Sequence, residues 1–122
     1  MPSAFVIDDN RQTADFLCKM LNLLGIQTRV AYGPLDALLI LRDHFPDIIF
    51  LDIQMPGVDG FEVLGFLQRE PQLKLIPVVI VTSDDQPETA QKARRTGALL
   101  TLIKPVNMET LERVLRTTKL IP

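Results

Sequence analysis

The sequence predicts an α/β fold in which a doubly wound, five-stranded parallel sheet carries five helices on its two faces. Short apolar runs alternate with helical patterns along the whole chain. Three of these runs, FVI, IIFL and PVVIV, are continuous and rich in β-formers, which is typical of parallel strands covered on both faces. Alternating strands and helices build right-handed crossover units, so the pattern favours one open sheet.

The five predicted strands and the first helix are identified by their apolar residues. Five runs are predicted as strands: Ala4–Ile7, Thr28–Ala31, Asp47–Leu51, Ile76–Val81 and Leu99–Ile103. In the first helix Leu17, Met20, Leu21 and Leu24 follow the i, i+3, i+4, i+7 spacing of one apolar face, and Gly25 suits its end.

The second and third helices are predicted from their ends. Pro34 suits the opening of a helix that runs through about His44, with Pro46 just beyond it. Asp59 stands three residues before Glu62, which resembles a capping box for a helix through about residue 70.

The fourth and fifth helices are predicted from the residues at their ends. Pro87 can open a fourth helix that Gly97 ends. Asn107 can cap a fifth helix, whose apolar face consists of Met108, Leu111 and Leu115.

Length and composition exclude several classes of protein. The 122 residues suit a single domain over 1–122, and a net charge of −2 argues against a domain that grips nucleic acid by charge. The single cysteine, Cys18, excludes an internal disulfide and a cysteine-built zinc site. There is no apolar run of about 20 residues and no signal peptide, so we expect a cytoplasmic domain. Met1 resembles a true start and the chain ends soon after the fifth helix, which favours an N-terminal or excised piece over a free-standing regulator.

Polar side chains follow four of the predicted strands. Asp8 and Asp9 follow the first strand, Asp52 the third, Thr82 the fourth and Lys104 the fifth. Because ligands of open parallel sheets bind beyond the carboxyl ends of the strands, we expect these side chains to share one crevice.

This combination of groups indicates phosphoryl chemistry. Three carboxylates in one crevice repel each other, and a hard divalent cation such as Mg²⁺ relieves the repulsion. The cation and Lys104 together can neutralise a phosphoryl group in transfer. Asp52 is the candidate attacking carboxylate, which would form an acyl phosphate, and the Thr82 hydroxyl can bond a phosphoryl oxygen.

Four stretches of the chain resemble the receiver domain of two-component response regulators. They are VIDDN at 6–10, FLDIQMPGVDGFE at 50–62, IVTSD at 80–84 and IKPV at 103–106. The resemblance covers nearly the whole chain and implies a flavodoxin-like sheet with the strand order 2-1-3-4-5.

The resemblance also implies a role for each residue of the crevice. Asp52 matches the aspartate that a histidine kinase or phosphotransfer protein phosphorylates. Asp9, Asp52 and the backbone carbonyl of Gln54 match the Mg²⁺ ligands, and Asp8 matches a residue that acts through water. Lys104 matches the lysine that pairs with the phosphate.

The remaining implied features concern the switch. Thr82 matches the hydroxyl that turns toward the phosphoryl group, and the bond between Lys104 and Pro105 is cis in the family. Thr101 departs from the family pattern, because members usually carry an aromatic residue or histidine there. Leu99 and Leu100 stand where acidic residues are common. We hypothesise that these leucines form an apolar patch on the 4-5-5 face (fourth helix, fifth strand, fifth helix), used for homodimerisation or output.

The leading functional interpretation is a phosphorylation-controlled switch that turns over no outside substrate. Its partners would be an upstream kinase and a downstream protein or attached output domain, without direct contact to nucleic acid or membrane. A degenerate receiver that only binds proteins is one alternative. An aspartyl-nucleophile phosphohydrolase is another, disfavoured because position 54 is Gln rather than an acid. A flavin or nucleotide binder is disfavoured because no glycine-rich loop follows the first strand.

Overall fold

The computed structural model describes residues 1–122 and contains five helices and seven strands. In chain order the elements are β1 (Ser3–Ile7), α1 (Arg11–Leu23), β2 (Gln27–Ala31), α2 (Pro34–Leu41), β3 (Ile48–Leu51), β4 (Gln54–Met55), β5 (Val58–Asp59), α3 (Gly60–Arg69), β6 (Val78–Thr82), α4 (Pro87–Thr96), β7 (Leu100–Ile103) and α5 (Met108–Thr117).

Five strands form one parallel sheet in the order β2-β1-β3-β6-β7. This confirms the expected 2-1-3-4-5 order, since β4 and β5 form a separate two-stranded hairpin. The strands cross over through helices, as parallel neighbours require.

The sheet is buried on both faces. Along β1, Phe5 and Ile7 contribute to one apolar cluster with α2, α3 and α4, whereas Ala4 and Val6 contribute to the other with α1 and α5. Successive side chains of a strand point to opposite faces, so a continuous apolar run fills both clusters. This explains why FVI, IIFL and VVIV lack polar alternation.

The predicted helix positions are confirmed, with two corrections at their ends. Helix α2 ends at Leu41 rather than near His44, because the amides of residues 43 and 44 both bond to the carbonyl of Ile40 and tighten the chain into a turn. Asp59 does cap α3, but its carboxylate accepts from the amide of Phe61 at 2.9 Å, so the capping box with Glu62 is wrong.

The other helix ends agree with the sequence. Asn107 caps α5 by accepting from the amide of Thr110 at 2.8 Å, and Gly97 ends α4 with a positive φ of 116° that favours glycine. None of the five helices combines the length and the apolar character needed to cross a membrane.

A short antiparallel hairpin, β4–β5, lies between β3 and α3 and was not among the predicted elements. Gln54 pairs with Asp59 and Met55 pairs with Val58 across it. Gly57 has a φ of 72°, the conformation that the third position of such a turn needs. The hairpin follows β3 directly and therefore fixes the backbone of residue 54 beside Asp52.

Candidate functional site

The register of the sheet brings the predicted site residues to one edge. Ile7 pairs with Leu51, so Asp8 and Asp52 leave neighbouring strands at the same level, and the amide of Asp52 donates to the carbonyl of Ile7 at 2.9 Å. The amide of Lys104 donates to the carbonyl of Thr82 at 2.8 Å. Residues from β1, β3, β6 and β7 therefore meet at the carboxyl end of the sheet.

Three carboxylates form a cluster at this edge. Asp8, Asp9 and Asp52 each place one oxygen within 4.8 Å of the others. Asp8 and Asp52 are both buried, with 4% of each residue exposed, and Asp9 is exposed at the mouth. Hard oxygen donors with one side open to water match the preferences of Mg²⁺, which keeps several waters when bound. The residues present therefore fit a divalent cation.

Lys104 balances the two buried carboxylates. Its ammonium nitrogen lies 2.9 Å from Asp8 Oδ2 and 3.1 Å from Asp52 Oδ2. The other oxygen of each acid is held by backbone, since Asp8 Oδ1 accepts from the amide of Asn10 and Asp52 Oδ1 accepts from the amide of Gln54. Both carboxylates are consequently held in defined orientations.

The electrostatics of the cluster shift two pKa values. Burial raises the pKa of Asp8, and the negative charge of Asp52 adds to the rise, while the Asn10 amide and Lys104 oppose it. Burial on its own would lower the pKa of Lys104, but its bonds to Asp8 and Asp52 outweigh burial and raise that pKa. The ammonium therefore stays charged through the neutral range.

Thr82 lies in the expected place but is engaged elsewhere. The residue is fully buried, and its hydroxyl donates to Gln54 Oε1 at 2.8 Å rather than to Asp52. The same amide oxygen accepts from the backbone of Ser83 at 3.1 Å. From the sequence, Gln54 was expected to contribute its backbone carbonyl, and the contact of its side chain with Thr82 was not predicted.

Asp84 is more organised than an ordinary loop residue. It is half-buried, and its carboxylate accepts from the hydroxyl of Thr89 at 2.6 Å and the amide of Gln86 at 2.9 Å. These bonds lower the pKa of Asp84, the Thr89 bond most strongly. The sequence signal for this arrangement is the position of Asp84, a residue type common in turns, two residues before the N-cap of α4.

The two leucines of the hypothesised patch have different environments. Leu99 is 39% exposed and borders a shallow cavity of about 390 Å³ with Leu75 and Arg94. Leu100 is half-buried and packs against the apolar cluster under α1 and α5. Of the two leucines, Leu99 is therefore the exposed one, whereas Leu100 packs against the core.

Two larger cavities open on the surface. One, of about 750 Å³, lies at the opposite edge of the sheet, where Ser3 and Gln27 begin their strands. A cavity of about 590 Å³ adjoins the carboxylate cluster and is lined by Phe16, Val81 and Lys104. Phe16 is 58% exposed there, so an apolar surface borders the site.

Comparisons with known proteins agree with this geometry. The sequence model of the response regulator receiver domain matches residues 4–116. Protein PilH of Pseudomonas aeruginosa is 35% identical over 111 residues, which cover 91% of this chain and 92% of that protein. The polar-differentiation response regulator DivK of Brucella ovis is 30% identical over 106 residues, covering 87% of this chain and 86% of DivK.

Solved structures show the same fold. The chemotaxis protein CheY4 of Vibrio cholerae superposes with a TM-score of 0.89 at 28% identity, covering 97% of this chain and 98% of that one. The signal receiver domain of a DNA-binding response regulator from Colwellia psychrerythraea superposes with a TM-score of 0.90 at 28% identity, covering 99% and 100% of the two chains.

Proposed function

Because this chain belongs to the response regulator receiver domain family, we propose that it is a switch whose phosphoacceptor is Asp52. A histidine kinase or phosphotransfer protein would supply the phosphoryl group, and residues 1–122 would act as one receiver that controls a partner protein or an attached output domain. The observation that carries the proposal is the carboxylate of Asp52 held beside Asp8, Asp9 and Lys104.

The chemical step is an in-line displacement on phosphorus. An oxygen of Asp52 forms a bond to phosphorus while the bond from phosphorus to the donor's imidazole nitrogen breaks. The nitrogen keeps the electron pair and takes up a proton, and Asp52 becomes an acyl phosphate. The bonds from Lys104 and the Gln54 amide support this step because they fix the direction of both carboxylate oxygens.

Lys104 supplies positive charge where the phosphoryl group would arrive. Its ammonium group is held between Asp8 and Asp52, and 15% of its side chain is exposed. Transfer of its bond from Asp52 to a phosphoryl oxygen requires only a small movement. A cation pre-positioned in a partly dry crevice stabilises developing charge without reorganising at the moment of reaction.

The cluster would hold Mg²⁺ through Asp9, Asp52 and the backbone carbonyl of Gln54, with Asp8 acting through water. When bound, the ion supplies charge neutralisation for the phosphoryl oxygens. Asp8 and Asp52 are buried with a single lysine between them, so the crevice holds more negative than positive charge. This excess of negative charge supports the assignment of a divalent cation to the site.

The Thr82 hydroxyl would exchange its hydrogen-bond acceptor when Asp52 is phosphorylated. Its hydroxyl bonds to Gln54 in this structure, so contact with a phosphoryl group on Asp52 requires the side chain to turn. Phosphorylation would favour that turn because a dianionic group is a stronger acceptor than an amide oxygen. Thr101 replaces the usual aromatic residue of β7, so the relay beyond Thr82 must use other groups.

The cavity beside Lys104 is the natural docking site for the phosphodonor protein. Phe16 is more than half exposed on α1, and the cavity reaches Lys104 at the rim of the site. A partner packed on this surface would lie beside Lys104, which contacts two carboxylates of the cluster.

Phosphorylation can be tested with a small phosphodonor and Mg²⁺. We expect one added phosphoryl mass on the peptide that holds Asp52, loss of that mass in Asp52→Asn, and retention in the control Asp59→Asn. Omission of Mg²⁺ should also prevent the modification. Absence of modification under all conditions would favour a degenerate receiver, and steady release of phosphate from many substrates would favour a phosphohydrolase.

A further inference from the structure

The amide oxygen of Gln54 is a junction of hydrogen bonds beside the candidate phosphoacceptor. It accepts from the Thr82 hydroxyl at 2.8 Å and from the Ser83 amide at 3.1 Å, while the backbone amide of Gln54 donates to Asp52 at 2.8 Å. One residue therefore links the end of β3 to the end of β6.

The chain of bonds continues from Thr82 into α4. The Thr82 hydroxyl oxygen accepts from the amide of Asp84 at 3.2 Å. The carboxylate of Asp84 accepts from the Thr89 hydroxyl at 2.6 Å, and Thr89 lies in the first turn of α4. An unbroken series of hydrogen bonds thus runs from Asp52 to α4 without passing through β7.

Helix α4 is suited to respond to this series. Ala93 is its only fully buried residue, so little apolar burial holds the helix in place. Its N-cap residue, Gln86, makes no side-chain cap bond, and the amide of Gln86 is bonded by Asp84 instead. The first turn of α4 therefore depends on Asp84.

We propose that Gln54 is a positioning residue that restrains the Thr82 hydroxyl in the unphosphorylated state and, through Asp84 and Thr89, couples that hydroxyl to the first turn of α4. The Thr82 hydroxyl has one proton and can donate to one acceptor at a time. Its capture by a phosphoryl oxygen breaks the bond to Gln54. The movement of Thr82 then displaces Asp84, because the Asp84 amide donates a hydrogen bond to the Thr82 hydroxyl oxygen.

This series of hydrogen bonds connects the site to α4 without the aromatic residue that family members usually carry at position 101. Thr101 has no ring, and no bond of this series involves β7. The trigger rests on the proposed function, because phosphorylation of Asp52 is what releases Thr82. The restraint itself is a property of the unmodified chain and can be tested without a phosphodonor.

The first test uses amide and methyl NMR spectra of the unmodified protein. Gln54→Met keeps the length of the side chain and the backbone bond to Asp52 but removes the acceptor oxygen. We expect the resonances of Ser83, Asp84 and Thr89 to move, and we expect no such change in Gln72→Met, which replaces an exposed glutamine outside α4. Gln54→Ala provides a second variant with the same expected result. Wild-type resonances at Asp84 and Thr89 in both Gln54 variants would overturn the proposal.

The second test uses Mg²⁺ with beryllofluoride, an analogue of the phosphoryl group. We expect Gln54→Met to reach half-saturation at a concentration roughly two- to tenfold lower than wild type, the factor that corresponds to one competing neutral hydrogen bond. Unchanged half-saturation would contradict the restraint. Failure of wild type to bind the analogue would instead contradict the phosphoacceptor function, which the first test does not require.

Discussion

The ammonium nitrogen of Lys104 lies 2.9 Å from Asp8 Oδ2, although 96 residues separate the two in sequence. The pair joins the ends of β1 and β7, two strands that are not neighbours in the sheet. Since Lys104 also contacts Asp52 at 3.1 Å, one cation holds two carboxylates that would otherwise repel each other in a buried crevice. Both carboxylates therefore depend on Lys104 for their charge balance and for their orientation.

Removal of the cation should destabilise the fold at neutral pH. We expect Lys104→Met to lower the free energy of unfolding by about 1–3 kcal/mol, less than for a fully buried pair because Asp8 can take up a proton. Urea denaturation in metal-free buffer measures this loss. The control is Lys19→Met, which removes an exposed lysine of α1. Equal stability of the two variants would contradict the role given to Lys104.

The raised pKa of Asp8 predicts a particular dependence of stability on pH. The folded chain holds the Asp8 proton more tightly than the unfolded chain does, so the contribution of Asp8 to stability falls as pH rises through its raised pKa. Asp8→Asn removes this titration. Without Mg²⁺, the stability of Asp8→Asn relative to wild type should therefore increase as the pH rises above the ordinary aspartate pKa of about 4. A difference that is constant with pH, measured by urea denaturation, would contradict this assignment.

The backbone architecture could be predicted from the sequence because its signals are local. Runs such as IIFL are apolar at every position, and Pro87 and Gly97 bracket a helix, so each element is specified by its own residues. The hairpin at residues 54–59 was missed because each of its strands has two residues, too few to show a period.

The sequence was sufficient to predict which residues line the crevice, but not which hydrogen bonds they form. Sequence order and the parallel sheet determine that Asp8, Asp52 and Lys104 meet at one edge. Which acceptor the Thr82 hydroxyl uses depends on the position of the Gln54 side chain. No periodic pattern encodes a contact between side chains 28 residues apart.

Divalent cations should stabilise the folded chain. A ligand that binds only the native state raises its stability by about 2.7 kcal/mol at a concentration 100 times its dissociation constant. We expect thermal unfolding to shift upward with Mg²⁺ in wild type and to shift less in Asp9→Ala, because Asp9 contributes one of the three clustered carboxylates. Asp43→Ala is the control, since it removes an exposed carboxylate outside the cluster. Equal shifts in all three proteins would exclude Asp9 from the metal site.

The low pKa of Asp84 should depend on Thr89. The hydroxyl of Thr89 donates to the carboxylate at 2.6 Å and favours its charged form. Thr89→Val preserves the shape of the side chain and removes this donor, so the pKa of Asp84 should rise toward its ordinary value. NMR titration of the Asp84 carboxyl carbon measures the change. Thr96→Val, which removes a hydroxyl from the other end of α4, should leave that pKa unaltered.

Leu99 and Leu100 should respond differently to the same substitution. Leu99→Glu places a charge on a side chain that is already 39% exposed, so we expect a change in stability within about 0.5 kcal/mol. Leu100→Glu places the charge against the apolar cluster under α1 and α5 and should cost about 2 kcal/mol or more.

The Leu99→Glu variant also tests the hypothesised homodimer through the 4-5-5 face, which α4, β7 and α5 form. Leu99 is the exposed apolar side chain directly before β7, so self-association through this face should bury it. We expect the mass from light scattering to rise with concentration in wild type and to stay at the monomer value in Leu99→Glu. Leu35→Glu, on the exposed side of α2, should associate like wild type. A monomeric mass for wild type at every concentration would remove the dimer, and Leu99 would then be left as a contact for an output partner, whose binding Leu99→Glu should weaken.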